Sequence, residues 1–279
     1  MDIPSTKAEI QRQQTHAKLW IRRFGRIGYM AQGIVFALIG FLALLAAAGF
    51  GGKTAGTSGM FQSLAALPLG EILIWIIGFG LFGYIVWQLI RAFKDPDGYG
   101  KGIRGLTIRT GFFISALIYG GISVKALKIA VHAGRSGGNS EQTMSAKLLS
   151  QPFGPWLLGL FGFVVFCFAV YEAGIGIKGS YMKKFKQGEM EEKEEKVARI
   201  TGKIGMISRG IVFGLVGYFF VQTAVTTDPD KAKGLDESLS ELAQQPYGRW
   251  LLGIVSLGFI LFGLYQVFRG RYQRMDFGS

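Results

Sequence analysis

Five stretches of this chain carry no charged side chain over the length of a membrane crossing. No Asp, Glu, Lys or Arg stands between Arg26 and Lys53, Glu71 and Arg91, Lys147 and Glu172, Arg209 and Asp228, or Arg249 and Arg269. A helix rises about 1.5 Å per residue, so roughly 20 apolar residues cross a hydrocarbon layer about 30 Å thick. A sixth stretch, 107–131, is interrupted only by Lys125 and Lys128 near its far end, from where long side chains reach the headgroups. The pattern predicts an all-α integral membrane protein with spans at 27–48, 70–91, 107–130, 154–177, 204–226 and 249–269.

The small residues of "LLAAAGF" (44–50) resemble a signal cleavage site, but the apolar run before them exceeds a signal core of roughly 7–15 residues. It also recurs downstream, so it is read as a retained span. Cys167 is the single cysteine, which excludes a disulfide framework. Lying in the fourth span between Phe166 and Phe168, it is expected to be buried and inert.

The net charge is +13, and its placement orients the chain. Of 31 Lys and Arg, 22 fall on the N-terminal segment, 91–109, 178–203 and the C-terminal segment, against eight on the alternate connections. The positive-inside bias then puts both termini in the cytoplasm. The basic residues flank spans and form no separate domain, which argues against nucleic acid as a partner; the lipid bilayer is the expected one.

The apolar text repeats. "GIVFALIG" (33–40) returns as "GIVFGLVG" (210–217) inside three copies of a two-helix unit. First helices read "RIGYMAQGIVF" (26–36), "RTGFFISALIY" (109–119) and "KIGMISRGIVF" (203–213). Second helices open with "PLGEIL" (68–73), "PFGPWLL" (152–158) and "PYGRWLL" (246–252), and close with "YIVWQ" (84–88), "FAVYE" (168–172) and "FGLYQ" (262–266). Each unit crosses twice, so the units share one orientation and are expected as three parallel repeats around a pseudo-threefold axis along the membrane normal.

The expected organisation is a tail at 1–22, repeats at 23–95, 103–180 and 198–272, a charged linker helix at 181–197 and a tail at 273–279. Each Pro-x-Gly is expected to start its second helix, since Pro suits a first turn. Mixed runs ahead of it, such as "MSAKLLSQ" (144–151) and "ESLSELAQ" (237–244), read as short interfacial helices on the outer face.

A basic residue, Gly and an aromatic, then small-Gly, an apolar stretch, Pro-x-Gly and a second span resemble the bacterial family called domain of unknown function 1206. The resemblance covers about residues 23–270 and implies three such units, a helical fold and a location in a bacterial inner membrane. Unit three, "ARITGKIGMISRG" (198–210), carries the pattern best; unit one has Gln32 in place of Arg209, and unit two has Ser115 followed by Ala116. The family's name carries no reaction with it.

Strings that suggest chemistry have plainer explanations. "GFGLFG" (78–83) lies inside a span with no strand before it, where glycines let helices approach. Gly248, Gly253, Gly258 and Gly263 and the Gly210/Gly214 pair read the same way. "AAGFGGKT" (47–54) lacks the first Gly of a phosphate-binding loop and an acidic partner strand. "DPDKAKGLDESL" (228–239) has its Gly at position seven and Leu239 where a calcium loop needs a bidentate Glu. "EMEEKEEK" (189–196) offers Glu189–Lys193 and Glu192–Lys196 pairs on a solvated helix. His16 and His132 are the only histidines, which excludes paired axial haem ligands inside the bundle, and no cofactor or metal is expected.

What is left is a set of polar residues inside spans. First helices carry Gln32, Ser115 and Arg209 at aligned positions; second helices carry Gln88, Glu172 and Gln266. All six fall at similar shallow depth on the cytoplasmic side. They are expected to hydrogen-bond between helices or to line a vestibule, and Arg209 and Glu172 are placed to pair. No nucleophile–base pair or metal cluster is visible, so no enzyme is expected. The sequence reads as a structural or accessory membrane protein with an internal polar cluster, with a small-solute or ion conduit along the pseudo-threefold axis as the alternative. A membrane-protein partner or a small solute would accompany these respective roles.

Overall fold

A computed structural model describes residues 3–50, 57–131 and 140–275. Most of the "GFGGKT" stretch and all of His132 lie outside them, as does the side chain of His16. Nine α-helices occur among the described residues: α1 (Ile3–Ala48), α2 (Thr57–Ala65), α3 (Gly70–Lys94), α4 (Ile103–Val131), α5 (Ser140–Leu149), α6 (Gly154–Lys178), α7 (Glu192–Thr226), α8 (Leu235–Gln244) and α9 (Gly248–Tyr272). Six of them, α1, α3, α4, α6, α7 and α9, are long and apolar enough to cross a membrane. The short helices α2, α5 and α8 all lie on the face opposite the two chain ends.

The segment 181–197 is not a helix of its own. Two 3-10 turns, Ser180–Lys184 and Gln187–Glu189, lead directly into α7, which runs unbroken into its span. Glu191 and Glu194 form a capping box that starts α7, the Glu194 carboxylate accepting from the Glu191 amide at 3.1 Å. Because α7 begins only at Glu192, Glu189 is not on the helix with Lys193: Lys186 pairs with Glu189 at 2.7 Å and Arg199 with Glu195 at 2.6 Å, instead of the pairs expected from spacing.

Pro-x-Gly also works differently from expectation. Pro68, Pro152 and Pro246 stand two residues ahead of helices that begin at the glycines. Each glycine amide donates back three residues, to Leu67, Gln151 and Gln245, folding the short helix tightly onto the span. A Cβ on Gly70, Gly154 or Gly248 would lie only 1.7, 1.8 or 2.2 Å from the carbonyl oxygen of Leu64, Leu148 or Ala243. The motif is therefore a reversal that only glycine can close.

The spans pack in the order α4–α3–α1–α9–α7–α6. Each first helix lies against the second helix of the neighbouring unit, at α1/α9, α4/α3 and α7/α6. Within units one and three the two helices also pack together, while α4 and α6 of unit two scarcely touch. Burial follows: 33% of the α4 span and 28% of the α6 span are covered, against 44–50% of the other four. Cys167 lies on the uncovered side of α6 and is exposed, contrary to the burial expected from its position in the span. Mid-span depth puts it at the lipid-facing surface instead of in the protein core.

The glycine-rich strings do serve packing. Within "GFGLFG", Gly78 meets Leu127 of α4, Gly80 meets Ala31 and Gly83 meets the carbonyl of Phe24. The "DPDKAKGLDESL" stretch becomes a 3-10 turn and the start of α8, fixed by an ion pair between Lys233 and Glu241.

Candidate functional site: an internal polar belt

Arg209 is placed by α7 and Glu172 by α6, at the interface where Gly210 brings the two backbones together; its Cβ would lie 2.9 Å from the Ala169 carbonyl. Arg209 donates through Nε to Glu172 Oε2 at 2.8 Å and through Nη2 to Oε1, a bidentate pair. Its Nη1 reaches the Tyr119 hydroxyl of α4 at 3.3 Å. The guanidinium carbon lies 4.4 Å from the Phe262 ring centre and 5.2 Å from that of Phe213, so aromatic faces cover the charge that the carboxylate leaves bare. Both residues are buried, at 6% and 5% exposure.

One interface round, the same two positions meet again. Gln266 of α9 donates to Gln32 of α1, both fully buried. At the third interface the positions hold Gln88 and Ser115. The serine is too short to meet its counterpart; Gln88 instead accepts from Arg91 at 3.1 Å, and half-buried Ser115 makes no hydrogen bond among the described residues. The six polar residues thus form two interhelical pairs, one local bond and one bystander, and no closed ring.

Closer to the chain ends lies a second layer. Gln266 accepts from Arg269 at 3.4 Å, and Arg269 also donates to the Tyr29 hydroxyl at 3.3 Å. Trp87 Nε1 at 3.1 Å and Arg91 Nη1 at 3.5 Å point at the same oxygen. Three donors converge on a phenol with two lone pairs. Arg91, at 1% exposure, is paired through Nε with Asp97 at 2.7 Å and stacked 3.6 Å from the centre of the Phe112 ring, while its Nη2 is buried without a partner.

Lys184 closes this layer. A short antiparallel pairing holds it, with the Arg274 amide donating to the Lys184 carbonyl at 2.9 Å and the Lys186 amide to Tyr272 at 2.9 Å. Its ammonium donates to the Tyr99 hydroxyl and faces the rings of Tyr99 and Phe112. Burial, then the like charge of Arg91, pushes Lys184 down to about 7. Asp97 is itself buried, which works to raise it, yet Arg91 and Lys184 together hold it below the usual carboxylate range.

Tyr29, Arg91, Arg269 and Lys184 were not singled out by the sequence. The signal was there for the arginines: each stands three residues after an aligned glutamine, Gln88 or Gln266, and so shares its helix face. Position alone makes them look like ordinary headgroup anchors.

No group of three or more His, Cys, Asp or Glu that could hold a metal occurs among the described residues. A cleft of about 550 Å³ near α8, lined by Tyr218, Phe219, Lys233 and Glu241 among others, opens on the opposite face, far from the belt.

The three units coincide with matches to Domain of Unknown Function (DUF1206) at residues 27–95, 110–179 and 204–273. The chain is also similar to uncharacterized protein YxxB of Bacillus subtilis (strain 168), 45% identical over 258 residues, which is 92% of this chain and 93% of that one. No solved structure matches. Three tandem matches over the paired spans, together with that relative, establish that the chain belongs to the DUF1206 family.

Proposed function

We propose that this protein is a non-enzymatic structural or accessory component of a bacterial inner membrane, three parallel repeats about a pseudo-threefold axis with both termini in the cytoplasm. The polar belt would then hold the helices in register. The observation that carries this reading is the closure of the interior beyond Arg209. Phe36 of α1 stands edge-on to Phe259 and Phe262 of α9, at 5.4 and 5.0 Å between ring centres, and is 3% exposed. The buried hydroxyls farther along, Ser123, Thr223 and Ser256, donate to the backbone carbonyls of Gly78, Phe219 and Leu252. An arginine already saturated by a carboxylate, behind an aromatic plug, suits a structural bond better than a conduit.

Support for the axis comes from the recurrence of one residue pair at successive interfaces, and for the orientation from the excess of Lys and Arg on one face. Two measurements test the reading. Liposomes holding the purified protein should pass ions and small solutes no faster than empty ones, and deletion of the gene should lower the amount of a larger membrane complex on native gels. Flux that changes in Arg209→Gln would overturn it in favour of a conduit. A C-terminal alkaline phosphatase fusion should be inactive, and an active one would invert the topology.

A further inference from the structure

Unit two stands open for a reason written in two residues. In unit one Gly28 packs against the backbone of Tyr84, and in unit three Gly205 packs against that of Phe262; an added Cβ would lie 2.2 and 2.5 Å from the nearest backbone atom. Their counterpart Gly111 has no atom within 4 Å of where its Cβ would be. About one turn farther along, Gly80 meets Ala31 and Gly258 meets Ser208, small against small. The equivalent positions in unit two are Val164 and Ile114. Two branched side chains replace the close contact that small residues allow between helices in lipid. The result is a lateral seam between α4 and α6, open beside Gly111.

The end of that seam nearest the chain termini is cationic. Phe112 of α4 lies on one side and the turn after α6 on the other, with Lys184 reaching across to Tyr99 and 5.8 Å from the Phe112 ring centre. Behind Phe112 lies the guanidinium of Arg91, fully buried and with Nη2 unpartnered. Arg269 adds a third positive charge through Tyr29, and among the described residues Asp97 is the one acid paired with these cations. An apolar slot ending in uncompensated positive charge at the level of the span ends matches the shape and charge of one lipid class.

We propose that the α4/α6 seam is a binding site for a single anionic phospholipid, with an acyl chain beside Gly111 and the phosphate at Lys184 in front of Arg91. Zwitterionic lipids carry an ammonium that this cluster would repel, whereas an anionic headgroup supplies the missing counter-charge. The lowered proton affinity of Lys184 fits the same picture, because a phosphate there would offset the charge of Arg91 and restore the ammonium.

The test uses the full-length protein in detergent, with phosphatidylglycerol, phosphatidylcholine or sodium phosphate added, and native mass spectrometry beside thermal unfolding. Wild type should retain one phosphatidylglycerol and unfold several degrees higher with it than with phosphatidylcholine. Lys184→Gln should weaken retention roughly tenfold, the loss of one charge-assisted contact. Gly111→Leu adds its side chain into open space, so it should unfold no lower than wild type in phosphatidylcholine yet retain no phosphatidylglycerol. Equal retention of the two lipids would overturn the proposal, as would unimpaired retention in Gly111→Leu. Equal stabilisation by sodium phosphate would show an anion site with no acyl chain in the seam. A dimer in nanodiscs that Gly111→Leu dissociates would assign the seam to a second copy of the chain.

Discussion

Arg209 and Glu172 occupy at one interface the two positions that Gln32 and Gln266 occupy at the next, so an ion pair and an amide pair solve the same packing problem in one molecule. Removing one member of a buried pair strands the other, at a cost of about 3–5 kcal/mol. Arg209→Gln or Glu172→Gln alone should therefore lower thermal stability strongly, and the double variant, which copies the amide pair, should recover most of the loss. A double-mutant cycle in detergent checks this. Additive losses would show that the charges act independently.

Gly70→Ala, Gly154→Ala and Gly248→Ala should each destabilise by roughly 1–3 kcal/mol or more, since the new methyl overlaps a carbonyl oxygen. Gly120→Ala serves as the contrast. It has open space and a helical backbone, and should be neutral or stabilising by about 0.5–1 kcal/mol. Denaturant titration of the four variants would rank them, and equal behaviour would contradict the reversal described for Pro-x-Gly.

Lys184 gives the fold a pH dependence of definite sign. The unfolded amine keeps its proton up to about its ordinary 10.5, while the folded one releases it near 7. Between those values the unfolded chain binds more protons, so stability rises with pH, and the contribution is lost as pH falls through 7. The groups facing the amine are Tyr99, Phe112, Arg91, Asp97 and Arg269. Lys184→Met should flatten this rise in unfolding curves taken between pH 6 and 10. A slope unchanged in the variant would assign the dependence to other groups.

Cys167 should behave as a lipid-facing thiol. A fluorophore attached to it should be quenched by lipids carrying a mid-chain bromine or spin label and left bright by aqueous iodide. Quenching by iodide would mean that water reaches the middle of α6.

The spans were legible because charge-free length is a one-dimensional property, and the repeat because it survives in letters such as Gly28, Gly111 and Gly205. What escaped was whatever depends on which faces meet. Cys167 lies in the apolar middle of α6, and depth does not tell lipid from protein when both are apolar. Gln88 and Ser115 align with productive pairs, but the reach of a serine is set in three dimensions. Arg91 looks like a headgroup anchor until Phe112 and Tyr29 are seen to cover it. The open seam was written at Val164 and Ile114, yet it becomes readable only once the glycines opposite their counterparts are known to touch.

Three identical two-helix units would present the bilayer with no distinguishable side. Val164 and Ile114 set the middle unit apart, so that whatever approaches through the plane of the bilayer meets one distinguishable bearing. Neighbours can then be arranged about the protein one at a time and in a fixed compass direction, which an undrifted triplicate could not specify.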